Sequence, residues 1–256
     1  MKKLILLLFP LLIISQENNY SMSFDGNYSW IELNSIQVDV LNVGGSSSLV
    51  MFYKGFGVLF SGSVTDAAYP MIFRVEVDNI GDDMASIKTY HRSTDISVVN
   101  LEPSSEPFLY DGTTWNSIII SIDNDDGQYT LYHNGNAVLD YSFEPTSFFR
   151  DDMDWLIGRS SLATNEFFNG NIDNIYMYNS YLDQLEVNNI LTCNYPADPL
   201  HVWNFEEGTT AEGQILDSSV SNNNGTIYNG SYSNNTPPQN CTDPNQENED
   251  NSSSAV

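Results

Sequence analysis

The chain predicts an all-β fold, an antiparallel two-sheet sandwich, on three observations. Short runs rich in Val, Ile, Tyr, Phe and Trp alternate with polar residues, and clusters of Gly, Asn, Asp and Ser separate them, the pattern of many short antiparallel strands. Helical periodicity is scarce. Residues 115–141 contain a three-stranded meander complete with its turns.

In chain order, Lys2 and Lys3 precede the apolar run Leu4 to Ile14, and Ser15 stands before the polar Gln16 to Asn19. This is the layout of a secretory signal peptide over residues 1–15. The run is too short to span a bilayer, which takes roughly 20 apolar residues. The expectation is a secreted or cell-surface protein, bacterial by the look of this leader. Strands are expected over 21–33, 49–53, 57–61, 71–77, 86–91 and 96–100. In the meander, Ile118, Ile120 and Ile122 alternate with Ser117 and Ser121, so one face is apolar. Asp123 to Gly127 is a turn, 128–133 returns, and Asn134-Gly135 makes a type I′ hairpin because both residues tolerate positive φ. Strands over 137–141, 155–158 and 171–178 follow. One helix comes next, with Asp183 capping its start and Glu186 reaching back in a capping box. Leu182, Leu185 and Ile190 are expected to face the sandwich, and the helix ends near Leu191. The polar, acidic tail 242–256 is expected to be disordered.

Eight Lys and Arg against 34 Asp and Glu give a formal charge of −26. Nucleic acid is excluded as a partner, since binding it needs a basic face. An acidic surface suits solubility and divalent cations. The two cysteines, Cys193 and Cys241, read as a disulfide in an exported protein. Such a cross-link is worth roughly 3–4 kcal/mol by chain entropy. His91, His133 and His201 are scattered and make a poor metal cluster.

Several pieces, in this order and spacing, resemble one known family. They are Ser23-Phe24-Asp25-Gly26 with Tyr28, Trp30 and Ile31; Trp115-Asn116-Ser117-Ile118; Leu131-Tyr132-His133-Asn134-Gly135; Ile157-Gly158; and Phe168-Asn169-Gly170-Asn171-Ile172-Asp173 running on to Tyr178-Asn179, then the helix. Residues 20–191 resemble the LamG-like jelly-roll family, of the concanavalin A-like lectin/glucanase fold. The resemblance implies a jelly-roll sandwich with one short helix. Val202-Trp203-Asn204-Phe205-Glu206-Glu207-Gly208 through Asn224-Gly225-Thr226-Ile227 resembles the opening of a second such unit. It is too short to close a sandwich, so residues 192–241 read as a Cys-bounded, β-rich stub packed on the first domain, or as the start of further repeats.

By family analogy the expected function is a non-catalytic recognition module for carbohydrate or a surface glycoconjugate. The alternative is a structural or cell-adhesion domain with no discrete ligand pocket. The hydrolases of this fold carry E-x-D-x-x-E on one strand, and hydrolysis needs two carboxylates flanking the bond. Here Glu76-Val77-Asp78 is followed by Gly81 at the second glutamate position, so Glu76 and Asp78 read as the solvated face of a strand. No lyase motif surrounds Arg74, Lys88, His91 or Arg92. Calcium is the more credible chemistry, as it takes six to eight oxygens from Asp, Asn, backbone and water. The resemblance implies that the opening and closing strands are neighbours, which makes Asp25 and Asp173 candidate ligands. The competing reading is that both carboxylates bind only backbone N–H groups in turns beside Gly26 and Gly170. Trp30, Trp115, Trp155 and Trp203 read as core. Tyr53, Phe56, Tyr69, Tyr90 and Tyr110 lie nearer predicted loops, where a ligand patch could use them.

Overall fold

Strands that bury alternate side chains must find a second layer, and here two antiparallel sheets provide it for each other while sharing one long strand. The computed structural model describes residues 19–33, 45–63, 71–92, 100–101, 104–143, 153–163, 165–195, 199–208 and 213–238. The leader at 1–15, the tail at 242–256 and most of the expected strand at 96–100 lie outside these residues. Among the described residues no helix is long and apolar enough to cross a membrane.

The strands are β1 (Ser21–Asp25), β2 (Trp30–Leu33), β3 (Ser46–Ser63), β4 (Met71–Gly81), β5 (Met84–Arg92), β6 (Asn100–Leu101), β7 (Phe108–Leu109), β8 (Asn116–Asp123), β9 (Gln128–His133) and β10 (Asn136–Ser142). After them come β11 (Asp154–Ile157), β12 (Asn169–Tyr178), the helix α1 (Gln184–Leu191), β13 (His201–Trp203), β14 (Gln214–Ile215), β15 (Gly225–Tyr228) and β16 (Ser231–Ser233). The first sheet runs β10-β9-β8-β3-β12-β1-β16, with β13 taking over beside β12 where β1 stops. The second runs β5-β4-β3-β11-β2-β15-β14, and β6 and β7 flank β5.

Residues 49–53 and 57–61, expected as two strands, form the single strand β3. It pairs with β8 and β12 in its first half and with β4 and β11 in its second. The crossing is made at Gly55 (φ 129°) and Gly57 (φ 114°), facing Gly170 (φ 146°) of β12. A Cβ at Gly55 would stand 2.0 Å from the Asn169 carbonyl oxygen, and one at Gly170 would stand 1.9 Å from that of Lys54. Two backbones approach there more closely than any side chain permits. In contrast, the expected single strand 21–33 is broken. The Asp25 carboxylate accepts the N–H groups of Asn27, Tyr28 and Ser29 and the Ser29 hydroxyl, and this turn moves the chain from β1 in the first sheet to β2 in the second.

The segment 192–241, read from the sequence as a stub, is woven into both sheets. β13 pairs with β12, β16 with β1, and β15 with β2. Cys193 is not a free cysteine; its expected partner Cys241 lies outside the described residues. The core between the sheets joins Ile118, Ile120, Ile122, Tyr129 and Leu131 to Phe60, Phe73, Val75, Trp155 and Ile157. A second apolar cluster lies on the other side of the first sheet, where Leu182, Val187 and Ile190 cover Val50, Phe52, Ile119, Tyr132, Tyr176 and Tyr178.

The helix has the expected capping box, with Asp183 accepting from Leu185 and Glu186 and the Glu186 side chain bonding back. Its buried residues are Val187 and Ile190, whereas Leu185 is 67% exposed. Residues three and four apart share a helix face, so 187, 190 and 191 turn inward together and Leu185 falls on the opposite side.

Candidate functional site

Each sheet has an outer face, and the two differ. That of the first sheet is occupied. Besides α1, residues 235–238 lie across it: Asn235 accepts from Trp115 Nε1 (3.2 Å), its carbonyl accepts from Ser21 Oγ (2.7 Å), and its amide donates to Asn171. Pro237 and Pro238 close a crevice of about 160 Å³ against Phe52, Trp115 and Leu191.

On the second sheet, alternation turns Phe73, Val75 and Val77 of β4 inward, and Arg74, Glu76 and Asp78 outward. Lys88 and Tyr90 of β5 stand beside them. Arg74 is ion-paired to both Glu76 and Glu166, and Lys88 Nζ lies 2.5 Å from Asp78 Oδ2. The Asp78 carboxylate raises the pKa of Lys88. Arg74, Glu76, Lys88, Tyr90 and Glu166, with Thr89 and Ser104, line an open hollow of about 460 Å³.

The same face continues over β11, β2 and β15 as an aromatic surface. Trp30 and Tyr228 are cross-strand partners with rings stacked at 4.7 Å and 12°. Phe167 stands 6.3 Å from both Trp30 and Tyr28. Tyr28 is 69% exposed and Tyr228 37%. The Arg159 guanidinium rests against this group, 4.7 Å from the Trp30 ring centre and 5.4 Å from that of Phe167. Glu32 accepts the Tyr228 hydroxyl and raises its pKa.

One loop joins the two halves of the face. Arg159 and Phe167 pair as an isolated bridge, and Ser160 N–H donates to the Glu166 carbonyl at 2.9 Å. Ser61 Oγ on β3, cross-strand from Arg74, donates to the Arg159 carbonyl (2.8 Å) and accepts Ser161 N–H (3.0 Å). The loop therefore carries Arg159 and Phe167 toward the aromatic half and Glu166 toward the ionic half.

The candidate calcium ligands are not brought together. β1 and β12 are neighbours, but the register sets Asp25 opposite Asn169. Asp173 lies four residues further along, roughly 13 Å away at the rise of a strand. The donors described above hold the Asp25 carboxyl down to about 2, the Tyr28 N–H most of all. Asp173 is fully buried, with Oδ1 accepting Asn174 N–H and Oδ2 unpartnered, and burial pushes its pKa well above the ordinary carboxylate range. Among the described residues no three His, Cys, Asp or Glu side chains converge. A shared calcium ion does not fit Asp25 and Asp173.

Trp155 and Trp203 are core as expected, but Trp30 lies on the open face and Trp115 packs outside the first sheet. Alternation in Trp30-Ile31-Glu32-Leu33 separates two faces without showing which one a second layer will cover. Tyr53 and Tyr110 are buried, Phe56 packs against the core, and Tyr69 lies outside the described residues; of that group Tyr90 reaches the hollow. Glu76 and Asp78 occupy the outer strand face expected of them.

Comparison with known folds agrees with this architecture. The chain is similar, at 13% identity and TM-score 0.59, to a putative carbohydrate binding protein from Bacteroides ovatus, covering 87% of this chain and 61% of that one. It is similar at 13% identity and TM-score 0.54 to the heptameric SAP-like pentraxin of Limulus polyphemus, over 70% and 84% of the two chains. The CBM40 of the Ruminococcus gnavus IT-sialidase aligns at 16% identity and TM-score 0.52, over 67% and 97%, and has also been solved bound to α2,3 sialyllactose. No curated protein is matched by sequence. Residues 54–188, more than half of the chain, match the family model described as the concanavalin A-like lectin/glucanases superfamily. With the jelly-roll sandwich and that match together, the chain belongs to the concanavalin A-like lectin/glucanase superfamily.

Proposed function

We propose that this protein is a secreted, non-catalytic carbohydrate-recognition module that binds sugar on the outer face of the second sheet. The observation that carries the reading is the stacked Trp30–Tyr228 pair, left accessible beside an open polar hollow. Aromatic rings offer apolar area to sugar C–H groups at little entropic cost, and convergent polar side chains fix orientation. Two proteins of the same fold described above bear names or ligands that concern carbohydrate. The leader expected at 1–15 and the disulfide expected between Cys193 and Cys241 would both suit export.

The ionic half of the face argues for binding without turnover. A glycosidase needs two carboxylates on either side of the scissile bond. Glu76 and Glu166 instead share the single Arg74 guanidinium between them, which leaves no room for a sugar bond there.

The test is a glycan array with the secreted chain, followed by titration of any hit against Trp30→Ala and Tyr228→Ala. Loss of about tenfold or more in affinity, with unchanged melting temperature, supports the reading. Silence across the array, with self-association retained, favours the adhesive alternative. Release of reducing ends from any polysaccharide would sink the non-catalytic assignment.

A further inference from the structure

The chain carries 34 acidic side chains against eight basic ones, so a cation without a carboxylate partner calls for a physical account. Arg74 and Lys88 are in salt bridges, and Lys54 bonds the Asn235 side chain. Arg159 has no ion pair and no side-chain hydrogen bond among the described residues, and its Nε is buried and unpartnered. Its two terminal nitrogens are not among the buried unpartnered atoms, so they reach solvent.

The geometry makes this arginine a donor in waiting. Trp30 and Phe167 lie on adjacent sides of the guanidinium, 4.7 and 5.4 Å from Cζ and 6.3 Å from each other, and neither ring takes a conventional hydrogen bond, so the terminal N–H groups stay unused. The loop that bears it is pinned to β3 through Ser61, so the fork is held before any ligand arrives. A planar, pre-set pair of donors matches a carboxylate, which accepts both bonds at once. A neutral sugar would leave those donors without an anionic acceptor.

We infer that Arg159 selects a carboxylate-bearing saccharide, an acidic sugar whose ring lies along Trp30 and Tyr228 and whose carboxylate docks on the guanidinium. The inference rests on the sugar-binding reading of this face and names its ligand class. Uronic acids and nine-carbon sialic acids both present such a carboxylate. Long-range repulsion from a chain of charge −26 opposes an extended polyanion more than a single acidic residue at a chain end.

The experiment titrates the full chain by calorimetry with sialyllactose, lactose, a glucuronate-terminated disaccharide, and the methyl ester of whichever acid binds. Wild type should bind one acid about tenfold to a hundredfold more tightly than its ester or its neutral counterpart, the usual worth of hydrogen bonds to charged groups. The two acids tell the sources apart. Arg159→Gln should erase the preference while residual binding still depends on Trp30, and Arg159→Lys should restore part of it. Equal affinity for acid and ester in the wild type overturns the inference, with no variant needed, even if Arg159→Gln fails to fold. Neutral binding that Trp30→Ala abolishes and Arg159→Gln leaves unchanged refutes the inference but upholds the sugar-binding reading. No binding of any of these or of arrayed sugars overturns both.

Discussion

His201 Nδ1 lies 2.7 Å from Asp217 Oδ2, both side chains buried, and the same carboxylate accepts the backbone N–H groups of Val202, Ser219 and Asn223 at 2.9 Å each. One side chain thus ties β13 to the loop after β14. Burial raises the Asp217 pKa, but His201 and these N–H donors outweigh it and the net shift is downward. Asp217→Ala strands four donors, two buried and two half-buried. It is expected to cost about 3–5 kcal/mol, read as a lower midpoint in urea unfolding; a loss below about 1 kcal/mol would show that the knot is dispensable.

His91 predicts acid lability. It sits between the Phe73 and Tyr129 rings at 4.9 and 4.7 Å, and burial lowers its pKa to about 3. With the folded pKa below the unfolded value of about 6.5, the unfolded chain takes the proton first. Stability is therefore full above pH 6.5 and declines from there toward pH 3. At pH 5 the loss is on the order of 2 kcal/mol. His133, lowered to about 4 by burial, adds in the same direction. Urea midpoints at pH 7.5 and 5.0 check this, and a flat profile contradicts it.

Asp173 acts with the opposite sign. Its folded pKa is raised by burial, so the unfolded chain gives up the proton first, and stability falls as pH rises from the unfolded value of about 4 toward the folded one. Asp173→Asn keeps the acceptor for Asn174 N–H and removes the charge. Its melting temperature relative to wild type should be distinctly higher at pH 8 than at pH 4. A pH-independent difference would mean that the folded pKa is not raised above the unfolded one.

The β3–β12 crossing tolerates no side chain. Gly55→Ala or Gly170→Ala drives a Cβ into a backbone carbonyl at a positive φ, and each is expected to cost more than about 3 kcal/mol. Gly81→Ala is the control. It shares a positive φ (90°) but meets nothing within 4 Å, so only about 1 kcal/mol of backbone strain is expected. Thermal melts of the three variants decide whether close approach or conformation dominates.

Local chemistry was legible in the sequence. Asn134 and Gly135 have φ of 49° and 78°, as the type I′ turn requires, and Asp183 and Glu186 form their box. Relations between distant residues were not. Asp25 and Asp173 share adjacent strands, but only the register shows that four residues separate them. The open face draws on Trp30, Arg74, Lys88, Arg159, Phe167 and Tyr228, from five separate stretches of chain, and no spacing along the sequence links those stretches. The segment after Cys193 resembled a new beginning because its motif is a strand motif. Which sheet such a strand joins depends on vacant edges, and β1, β2 and β12 each had one.

The pairing of β16 with β1 has a mechanical consequence. Ser21 faces Ser233 at one end of that ladder, so residues 20 and 234 leave from the same end. Tension between them peels β16 away one hydrogen bond at a time instead of shearing the pair as a whole. Next on the chain is β15, whose contact with β2 opens at Tyr228 and Trp30, the very rings that face solvent. A cross-link from Cys193 to Cys241 closes the loop that holds both strands, so it would carry a load from beyond residue 241 directly to residue 193 and keep the Trp30–Tyr228 contact out of the line of force.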